Sequence, residues 1–346
     1  MPEVKLATQK RFHLVDLWQL DGCDYPRALQ WSPHGEFIAY GSSDGTLSVL
    51  EAQSGLVRWR KSVAAAITHV QWNPRRPLVA LGTERGACQV LGATGQVVVE
   101  LPANQSWPEC LSWSADGELI ALAAGRKLEV YTFQGERVFQ ADDHPSTITA
   151  IGWNAGGDAL AISCYGGVHI RPLQGKRPAR HLSFKGSLIS LAWSPNGDVI
   201  ACGSQDCSVH FWRLSSGKDS EMTGYPSKPR WLAWSPDSRL LATSGESTIC
   251  IWKFEGTGPE GTRPLMLKGH EDLLTQLDFS PAGNVLASGS KDADLLLWCP
   301  DVTLRPVGMA CLRSEITHLS FNRDGRFLAA ADSSGLLRAW KVIEAS

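Results

Sequence analysis

The sequence predicts an all-β protein, a single closed β-propeller in which repeated four-stranded blades form a ring. Three observations predict this fold. An aromatic residue followed by a turn recurs every 40 to 45 residues, short runs of alternating apolar and polar residues lie between the recurrences, and the 346 residues include 33 Gly and 14 Trp. A period of this length, with several short strands in each copy, is typical of propeller blades.

Eight copies of the aromatic-turn motif set the expected number of blades. Successive copies are 41, 41, 40, 40, 41, 45 and 42 residues apart. The aromatic residues are Trp31, Trp72, Trp113, Trp153, Trp193, Trp234, Phe279 and Phe321. We therefore divide the chain into repeat units of approximately 25–63, 64–104, 105–143, 144–184, 185–225, 226–269, 270–311 and 312–346.

Each copy contains four short segments with the pattern of β-strands. In the fifth copy the first three are residues 187–194, 199–204 and 208–213, separated by polar turns. A fourth run follows each copy, as in residues 55–61 of the first and 96–101 of the second. Alternation with a period of two predicts antiparallel strands, so each unit is expected to be one four-stranded blade.

The two ends of the chain are expected to complete one blade together. Only six residues follow Trp340, too few for the eighth copy to form its own fourth strand. Residues 11–19 form a strand-like run ahead of the first copy. Docking this strand on the last copy would close the ring and cover an edge that an open sheet exposes. We expect eight blades, with seven as the alternative.

Composition argues against several functional classes. With 33 basic and 35 acidic residues and a net charge of −2, the chain lacks the basic excess of a duplex nucleic-acid-binding protein. No apolar run approaches the roughly 20 residues of a membrane span, and the N-terminus lacks a secretory apolar region. Nine cysteines without tight spacing predict reduced thiols. We expect a cytoplasmic protein without nucleic-acid or membrane partners.

The seventh copy resembles the WD40 repeat family most closely. It contains Gly269-His270, then Leu-Ala-Ser-Gly-Ser over residues 286–290, then Asp292 and Trp298. The resemblance extends over nearly the full chain and implies a propeller of the same kind. In that family a buried His-Ser-Asp-Trp hydrogen-bond relay joins the strands of a blade, which would assign these roles to His270, Ser288, Asp292 and Trp298.

The other copies depart from the family pattern. The fifth has Phe184 and Cys202 where the seventh has His270 and Ser288, and the fourth keeps a histidine, His144, without an acidic partner at the turn. The Asp of the family's Trp-Asp pair is absent from every copy. We therefore expect blade stability to depend more on apolar packing than on the polar relay.

Three motifs that resemble catalytic sites are better explained as structural segments. Residues 41–45 fit the G-x-S-x-G pattern but fall at a strand-strand turn, whereas a nucleophile elbow needs a helix after the serine. Residues 256–261 fit G-x-G-x-x-G, but Pro259 lies inside the motif and no helix follows. Asp143 and His144 suggest a catalytic pair, yet His144 aligns with His270. No catalytic residue is predicted, and the chain is not expected to be an enzyme.

Metal binding has one weak candidate. Cys202 and Cys207 are five residues apart with His210 nearby, but zinc sites usually show tighter ligand pairs. The alternative explanation, which we favour, is a buried small residue at Cys202 and a turn residue at Cys207. We predict no cofactor, although ligands from separate blades could still meet on the ring axis.

The loops that lead into the innermost strands are the expected binding rim. Members of the resembling family usually bind peptides and partner proteins there, and Trp and Arg are common in binding hot spots. The predicted contact residues are Trp107, Lys228, Arg230, Trp231, Asp272 and Arg313. The alternative is that Trp107 and Trp231 pack beneath their own loops.

The resemblance implies a non-catalytic scaffold or adaptor that binds a protein or peptide through the rim around the central channel. Such a ring offers a broad, preformed surface, which lowers the ordering cost of binding. The alternative functions are a metal- or cofactor-binding propeller with Cys and His ligands, and a propeller enzyme. The sequence is compatible with a monomer or with a subunit of a larger complex.

Overall fold

The computed structural model describes residues 11–21, 24–101, 108–173, 178–256 and 258–345. These residues form 31 β-strands and no α-helix. The strands make eight antiparallel sheets arranged as the blades of a ring. The prediction of an all-β, eight-bladed propeller is confirmed. Trp107, one of the predicted contact residues, lies outside the described residues.

The chain begins with an outer strand and then forms the first four blades. The strands in order are β1 (Phe12–Leu20); β2 (Pro26–Trp31), β3 (Phe37–Ser42), β4 (Thr46–Glu51) and β5 (Val57–Ser62) of blade 1; β6 (Ile67–Trp72), β7 (Val79–Thr83), β8 (Cys88–Leu91) and β9 (Val97–Leu101) of blade 2; β10 (Pro108–Trp113), β11 (Leu119–Ala124), β12 (Lys127–Thr132) and β13 (Arg137–Ala141) of blade 3; β14 (Ala150–Trp153), β15 (Ala159–Pro172) and β16 (Arg180–Ser187) of blade 4.

The second half of the chain forms the other four blades. Its strands in order are β17 (Ala192–Trp193), β18 (Val199–Gly203), β19 (Val209–Arg213) and β20 (Asp219–Met222) of blade 5; β21 (Leu232–Trp234), β22 (Leu240–Gly245), β23 (Thr248–Lys253) and β24 (Leu265–Lys268) of blade 6; β25 (Leu274–Phe279), β26 (Leu286–Ser290), β27 (Asp294–Trp298) and β28 (Gly308–Cys311) of blade 7; β29 (Ile316–Phe321), β30 (Phe327–Asp332) and β31 (Leu337–Glu344) of blade 8.

Blade 4 contains a tight hairpin within β15. Gly166 and Gly167 both have positive φ angles, of 94° and 129°, which glycine adopts without a Cβ clash. The Leu173 N–H, just beyond the end of β15, donates to the Asp158 carbonyl just before its start at 2.9 Å. The two halves of β15 therefore run side by side and supply the second and third strands of this blade.

Blade 8 is completed by the first strand of the chain. The order in its sheet is β1-β31-β30-β29, with β1 antiparallel to β31. Arg338 on β31 donates to the Asp16 carboxylate on β1 at 2.6 Å, and the Phe12 N–H donates to the Val307 carbonyl of blade 7 at 2.8 Å. The predicted closure by the N-terminal strand is confirmed.

The repeated tryptophans lie between blades and connect them. In five cases the indole N–H donates, at 2.9 to 3.3 Å, to a carbonyl on the innermost strand of the preceding blade. These bonds are Trp31 to Ser320, Trp113 to Gln71, Trp153 to Ser112, Trp193 to Gly152 and Trp234 to Ala192. The same residues thus supply both apolar burial and a directional bond from blade to blade.

The ring has two faces with different connections. The loop face carries the loops that lead into the innermost strands, such as residues 227–231, together with the turns between second and third strands. The turn face carries the turns between first and second strands, such as residues 32–36, and between third and fourth strands. The central channel runs between the two faces.

Candidate binding site at the channel mouth

A cavity of about 810 Å³ opens on the loop face at the mouth of the channel. Its walls come mainly from the loops and strand starts of blades 1, 6, 7 and 8. Three of the predicted contact residues, Lys228, Arg230 and Trp231, line it. The segments that lead into innermost strands therefore meet in one concave site, which we call the mouth site.

Trp231 contributes to both the core and the mouth site. Its side chain is half-buried and packs against the apolar cluster between blades 6 and 7. Its backbone N–H donates to the Ser244 hydroxyl at 3.1 Å, which fixes the loop to β22. The guanidinium of exposed Arg230 lies 6.0 Å from the Trp231 ring centroid. The site therefore has a fixed aromatic surface beside an exposed cation.

Asp272 and Arg313 are exposed on the loop face but do not line the mouth site. The Asp272 carboxylate accepts from the Leu273 N–H at 2.6 Å, and its carbonyl accepts from the Ser290 hydroxyl at 2.9 Å. Arg313 forms an ion pair with Asp21, just after β1. These side chains stabilise the loops around the site and the docked N-terminal strand.

The wall of the mouth site contains two polar groups that the sequence analysis did not predict. The Thr275 hydroxyl oxygen and His318 Nδ1 are both buried, and neither has a hydrogen-bond partner among the described residues. Burial lowers the pKa of His318 to about 4, and the opposing influence of the nearby Arg27 backbone is smaller. The imidazole is therefore neutral at physiological pH, and the hydrogen-bonding capacity of both buried atoms is unused among the described residues.

The position of His318 within its repeat could have identified it from the sequence as a residue near the channel. It lies three residues before the repeat aromatic Phe321, as Trp231 lies three before Trp234 and Gln276 lies three before Phe279. Gln276 donates to the Thr317 carbonyl of the next blade at 2.6 Å. This position therefore faces the neighbouring innermost strand near the channel, and its residue type varies from blade to blade.

Positive charge predominates around the mouth site. Four cationic side chains and two carboxylates line it, and His318 is neutral. The cationic side chains are Arg27, Lys228, Arg230 and Lys291, and the carboxylates are those of Glu246 and Glu315. The site therefore favours a partner segment that carries negative charge.

Blade 7 contains the complete polar relay beneath the loop face. His270 Nδ1 lies 3.1 Å from the Asp292 carboxylate, and His270 Nε2 lies 2.7 Å from the Ser288 hydroxyl. Trp298 donates its indole N–H to the same hydroxyl at 2.8 Å. Burial lowers the pKa of His270 against the opposing effect of Asp292, so a neutral ring donates to Asp292 and accepts from Ser288.

The relay also fixes the loop that leads into β25. The Asp292 carboxylate accepts from the Glu271 N–H at 2.8 Å and from the Asp294 N–H at 2.9 Å. One carboxylate, whose side chain is 11% exposed, thus holds both the loop before β25 and the turn before β27. The relay acts as the structural support for the blade 7 side of the mouth site.

Blade 6 contains an equivalent relay with different residues. Trp252 donates its indole N–H to the Tyr225 hydroxyl at 2.7 Å, and that hydroxyl lies 2.8 Å from the Thr243 hydroxyl. Tyr225 lies nine residues before Trp234 and Thr243 nine after it, as His270 and Ser288 flank Phe279. Counting from the repeat aromatic would have found this relay, which a search for the family's residue types misses.

The weak metal candidates in blade 5 have other roles. Cys202 is fully buried, and burial raises the pKa of its thiol. Cys207 is a turn residue with a φ angle of 63°, and His210 Nε2 lies 2.9 Å from the Asp219 carboxylate. In the part of the chain that the structure describes, no group of three or more His, Cys, Asp or Glu residues could hold a metal ion.

The segments that resemble catalytic motifs are structural where they are described. Ser43, the serine at the nucleophile position of the G-x-S-x-G match, lies in the turn between β3 and β4 and donates its hydroxyl to the Asp24 carboxylate at 3.2 Å. His144 Nδ1 lies 3.1 Å from the Arg126 carbonyl, in blade 3. The described part of the chain contains none of the helices that these motifs require, and no helix in it is long and apolar enough to cross a membrane.

Two family models match the chain. The model described as "WD domain, G-beta repeat" matches residues 178–213, 220–253, 261–299 and 309–341. The model described as "Anaphase-promoting complex subunit 4 WD40 domain" matches residues 8–75, 70–127 and 111–191. Together they extend over nearly all of the eight repeats.

Curated relatives and a solved structure are similar to parts or all of the chain. The chain is 31% identical over 129 residues to the human F-box-like/WD repeat-containing protein TBL1X. This match covers 34% of this chain and 22% of that protein. It is 35% identical over 78 residues to a probable cytosolic iron-sulfur protein assembly protein Ciao1 of Culex quinquefasciatus, or 22% of this chain and 23% of that protein. Each match thus spans less than a quarter of the relative's length.

The structural similarity extends to the whole ring. The crystal structure of the computationally designed Ika8 protein superimposes with a TM-score of 0.78 at 19% identity, covering 96% of this chain and 99% of that one. At this identity the likeness shows the fold alone. The repeats, the eight-bladed ring and the matching models together lead to one conclusion: the chain belongs to the WD40 repeat family.

Proposed function

We propose that this WD40 propeller is a non-catalytic scaffold that binds a protein or peptide partner at the mouth site. One observation carries the proposal. The mouth site combines a preformed concavity, a fixed aromatic surface at Trp231 and two buried polar groups without partners, Thr275 and His318. Such convergence of apolar surface with a few oriented polar groups is typical of recognition sites.

The chemistry of the site favours an acidic partner segment. The Thr275 hydroxyl can donate or accept, and His318 Nδ1 can exchange a hydrogen bond with a peptide group or a carboxylate. The cations Lys228 and Arg230 stand at the edge, where they attract a negatively charged segment before it docks. Because innermost strands hold the walls, little ordering accompanies binding.

A reducing, cytoplasmic location is also proposed. Six of the eight described cysteines are buried. Burial raises the pKa of Cys88 and Cys110 to about 12, which keeps these thiols protonated and unreactive. Fractionation of the native host should recover the protein with cytosolic markers, and recovery from an oxidising compartment would contradict this location.

Charge reversal at the mouth site tests the proposed function. The double variant Lys228→Glu Arg230→Glu is compared with Lys218→Glu Arg305→Glu, which makes the same charge change at exposed positions on the turn face. Partners are identified by affinity capture from the native host, and the purified partner is then titrated against each variant. We expect at least about 30-fold weaker binding for the mouth variant only. Equal affinity for both variants would refute the mouth site.

A further inference from the structure

The turn face carries a second concave surface, between blades 1 and 2. It has a volume of about 440 Å³ and lies between the turns that follow β2 and β6. Phe37, Trp59 and Trp72 form its apolar wall, and Arg58 and Arg75 stand at its edge. We call this surface the blade 1–2 groove. It lies on the face opposite the mouth site and shares no residue with it.

Trp72 differs from the other repeat tryptophans in its indole nitrogen. In the five others this N–H donates to a carbonyl of the preceding blade. Only 9% of the Trp72 surface is exposed, and its Nε1 is buried. This nitrogen has no hydrogen-bond acceptor in the described part of the chain. A buried donor without a partner is costly, and a ligand carbonyl or carboxylate in the groove would remove that cost.

The walls of the groove are held in place. The rings of Phe37 and Trp72 are stacked, with centroids 6.4 Å apart and planes at 21°. The Trp59 indole N–H donates to the Ala93 carbonyl of blade 2 at 2.8 Å, which fixes the outer end of the groove. The apolar surface is therefore preformed, so the insertion of a side chain carries little entropic cost of ordering the groove.

The charge of the groove comes from an unusual turn. At the third and fourth positions after the repeat aromatic, blade 2 has Arg75 and Arg76, whereas no other blade has a basic pair there and most have Asp, Asn or Gly. Arg76 is fixed by the Glu118 carboxylate at 2.6 Å and lies over the Phe133 ring at 3.9 Å. Arg75 remains exposed, and the Arg58 side chain across the groove is 63% exposed and 3.7 Å from Glu51. Three arginines therefore line the groove against one carboxylate, that of Glu36.

We propose that the blade 1–2 groove binds a second partner segment, an acidic peptide that inserts one large apolar side chain between Phe37, Trp59 and Trp72. A carbonyl or carboxylate of that peptide accepts from Trp72 Nε1. Flanking carboxylates pair with Arg58 and Arg75, in agreement with the charge of the groove. This inference does not depend on the mouth site, and the protein would hold two partners on opposite faces.

The test uses fluorescein-labelled hexapeptides in which four Glu flank a Leu-Gly, Phe-Gly or Trp-Gly centre, with Lys-flanked counterparts as controls. Binding to the full chain is measured by fluorescence anisotropy. We expect at least one acidic peptide to bind at least tenfold more tightly than its basic counterpart. Equal binding of the two charge types, or no saturable binding by any acidic peptide, would overturn the proposal.

Three variants with matched controls locate the peptide. Arg75→Glu should weaken binding about tenfold, whereas Arg85→Glu, at an exposed turn of the same blade on the loop face, should not change it. Trp72→Phe keeps an aromatic ring but removes the N–H, and should weaken binding several-fold. Trp113→Phe removes an N–H that already has an acceptor and should leave binding unchanged.

Thermal melts of each variant show that the fold is retained. If Trp72→Phe fails to fold, the contrast between Arg75→Glu and Arg85→Glu still decides the location. Equal effects of those two substitutions would show that the peptide binds by charge alone, which contradicts the groove. If the Lys228→Glu Arg230→Glu variant bound the mouth-site partner with unchanged affinity, the peptide result at the groove would still stand. The two proposals can therefore fail separately.

Discussion

The two faces of the ring are built from the same repeat but are stabilised differently. On the turn face, four turns share one local bond, in which a serine hydroxyl accepts from the N–H five residues later at 2.9 Å. These serines are Ser32, Ser114, Ser194 and Ser235. On the loop face, the side chains that fix the loops before the innermost strands differ between blades, as the relays of blades 6 and 7 illustrate.

The difference indicates where the repeat is free to vary. A local serine turn depends only on its own residues, so it can recur unchanged from blade to blade. Loops on the other face can differ in length and chemistry once a relay or neighbouring loop supports them. Both proposed sites follow this logic, because the mouth site uses variable loops and the blade 1–2 groove lies where one turn departs from the shared pattern.

The largest effect is expected from His270→Ala in the blade 7 relay. The substitution leaves buried Ser288 and partly buried Asp292 without their common partner and should lower the free energy of unfolding by about 3 kcal/mol. Urea denaturation measures the loss. Hydrogen exchange should accelerate over 269–276 on the loop face and remain unchanged in the turns of the turn face. Uniform acceleration on both faces would contradict a local supporting role.

A smaller, pH-dependent effect is expected from Asp278→Asn in the channel wall. Burial raises the pKa of Asp278 to about 7, although the Phe321 N–H, which donates to it at 2.8 Å, opposes the shift. Because this pKa is raised in the folded state, the contribution of Asp278 to stability is greatest below pH 4 and is lost as the pH rises towards 7. Gln30 and Gln71 accept the same bond in other blades without a charge.

Asp278→Asn should therefore stabilise the protein by roughly 2 kcal/mol at pH 8 and have little effect at pH 4. Thermal melts across this range measure it, with Asp301→Asn, at an exposed site on the turn face, as the control. Equal stabilisation at pH 4 and pH 8 would show that ionisation of Asp278 is not the cause.

The smallest effect is expected from Ser235→Ala on the turn face. It removes the bond from the Leu240 N–H and the bond to the Asp237 carboxylate, and should cost about 1 kcal/mol. Chemical denaturation measures the cost, and partner binding at the mouth site should not change. A loss as large as that of His270→Ala would remove the distinction between the two faces.

The sequence predicted the ring well because its signals are periodic. The aromatic positions from Trp31 to Phe321 fixed the number of blades, and the short tail after Trp340 indicated that residues 11–19 complete the last one. The Tyr225 relay escaped notice because a tyrosine replaces the expected histidine while keeping its position and its hydrogen bonds. In diverged repeats, the position of a residue relative to the repeat aromatic is therefore a better guide to its role than its residue type.

The candidate site was predicted only in part. Loop position identified Lys228, Arg230 and Trp231, which line the mouth site. Arg313 pairs instead with Asp21, a partner 292 residues away that ring closure brings to it. The missing acceptor of Trp72 depends on how two blades pack. Contacts of this kind arise from the closed ring and leave no signal in a single repeat.

Hydrogen exchange of the protein with its purified partner is the decisive test of binding at the mouth site. Exchange should become slower over 227–231, 273–276 and 315–318 on binding, and no such protection should occur when Lys228→Glu Arg230→Glu replaces the native chain. The shared serine turns of the turn face should exchange equally with and without the partner. Protection confined to the turn face, or the same protection in the charge-reversed variant, would contradict a partner bound at the channel mouth.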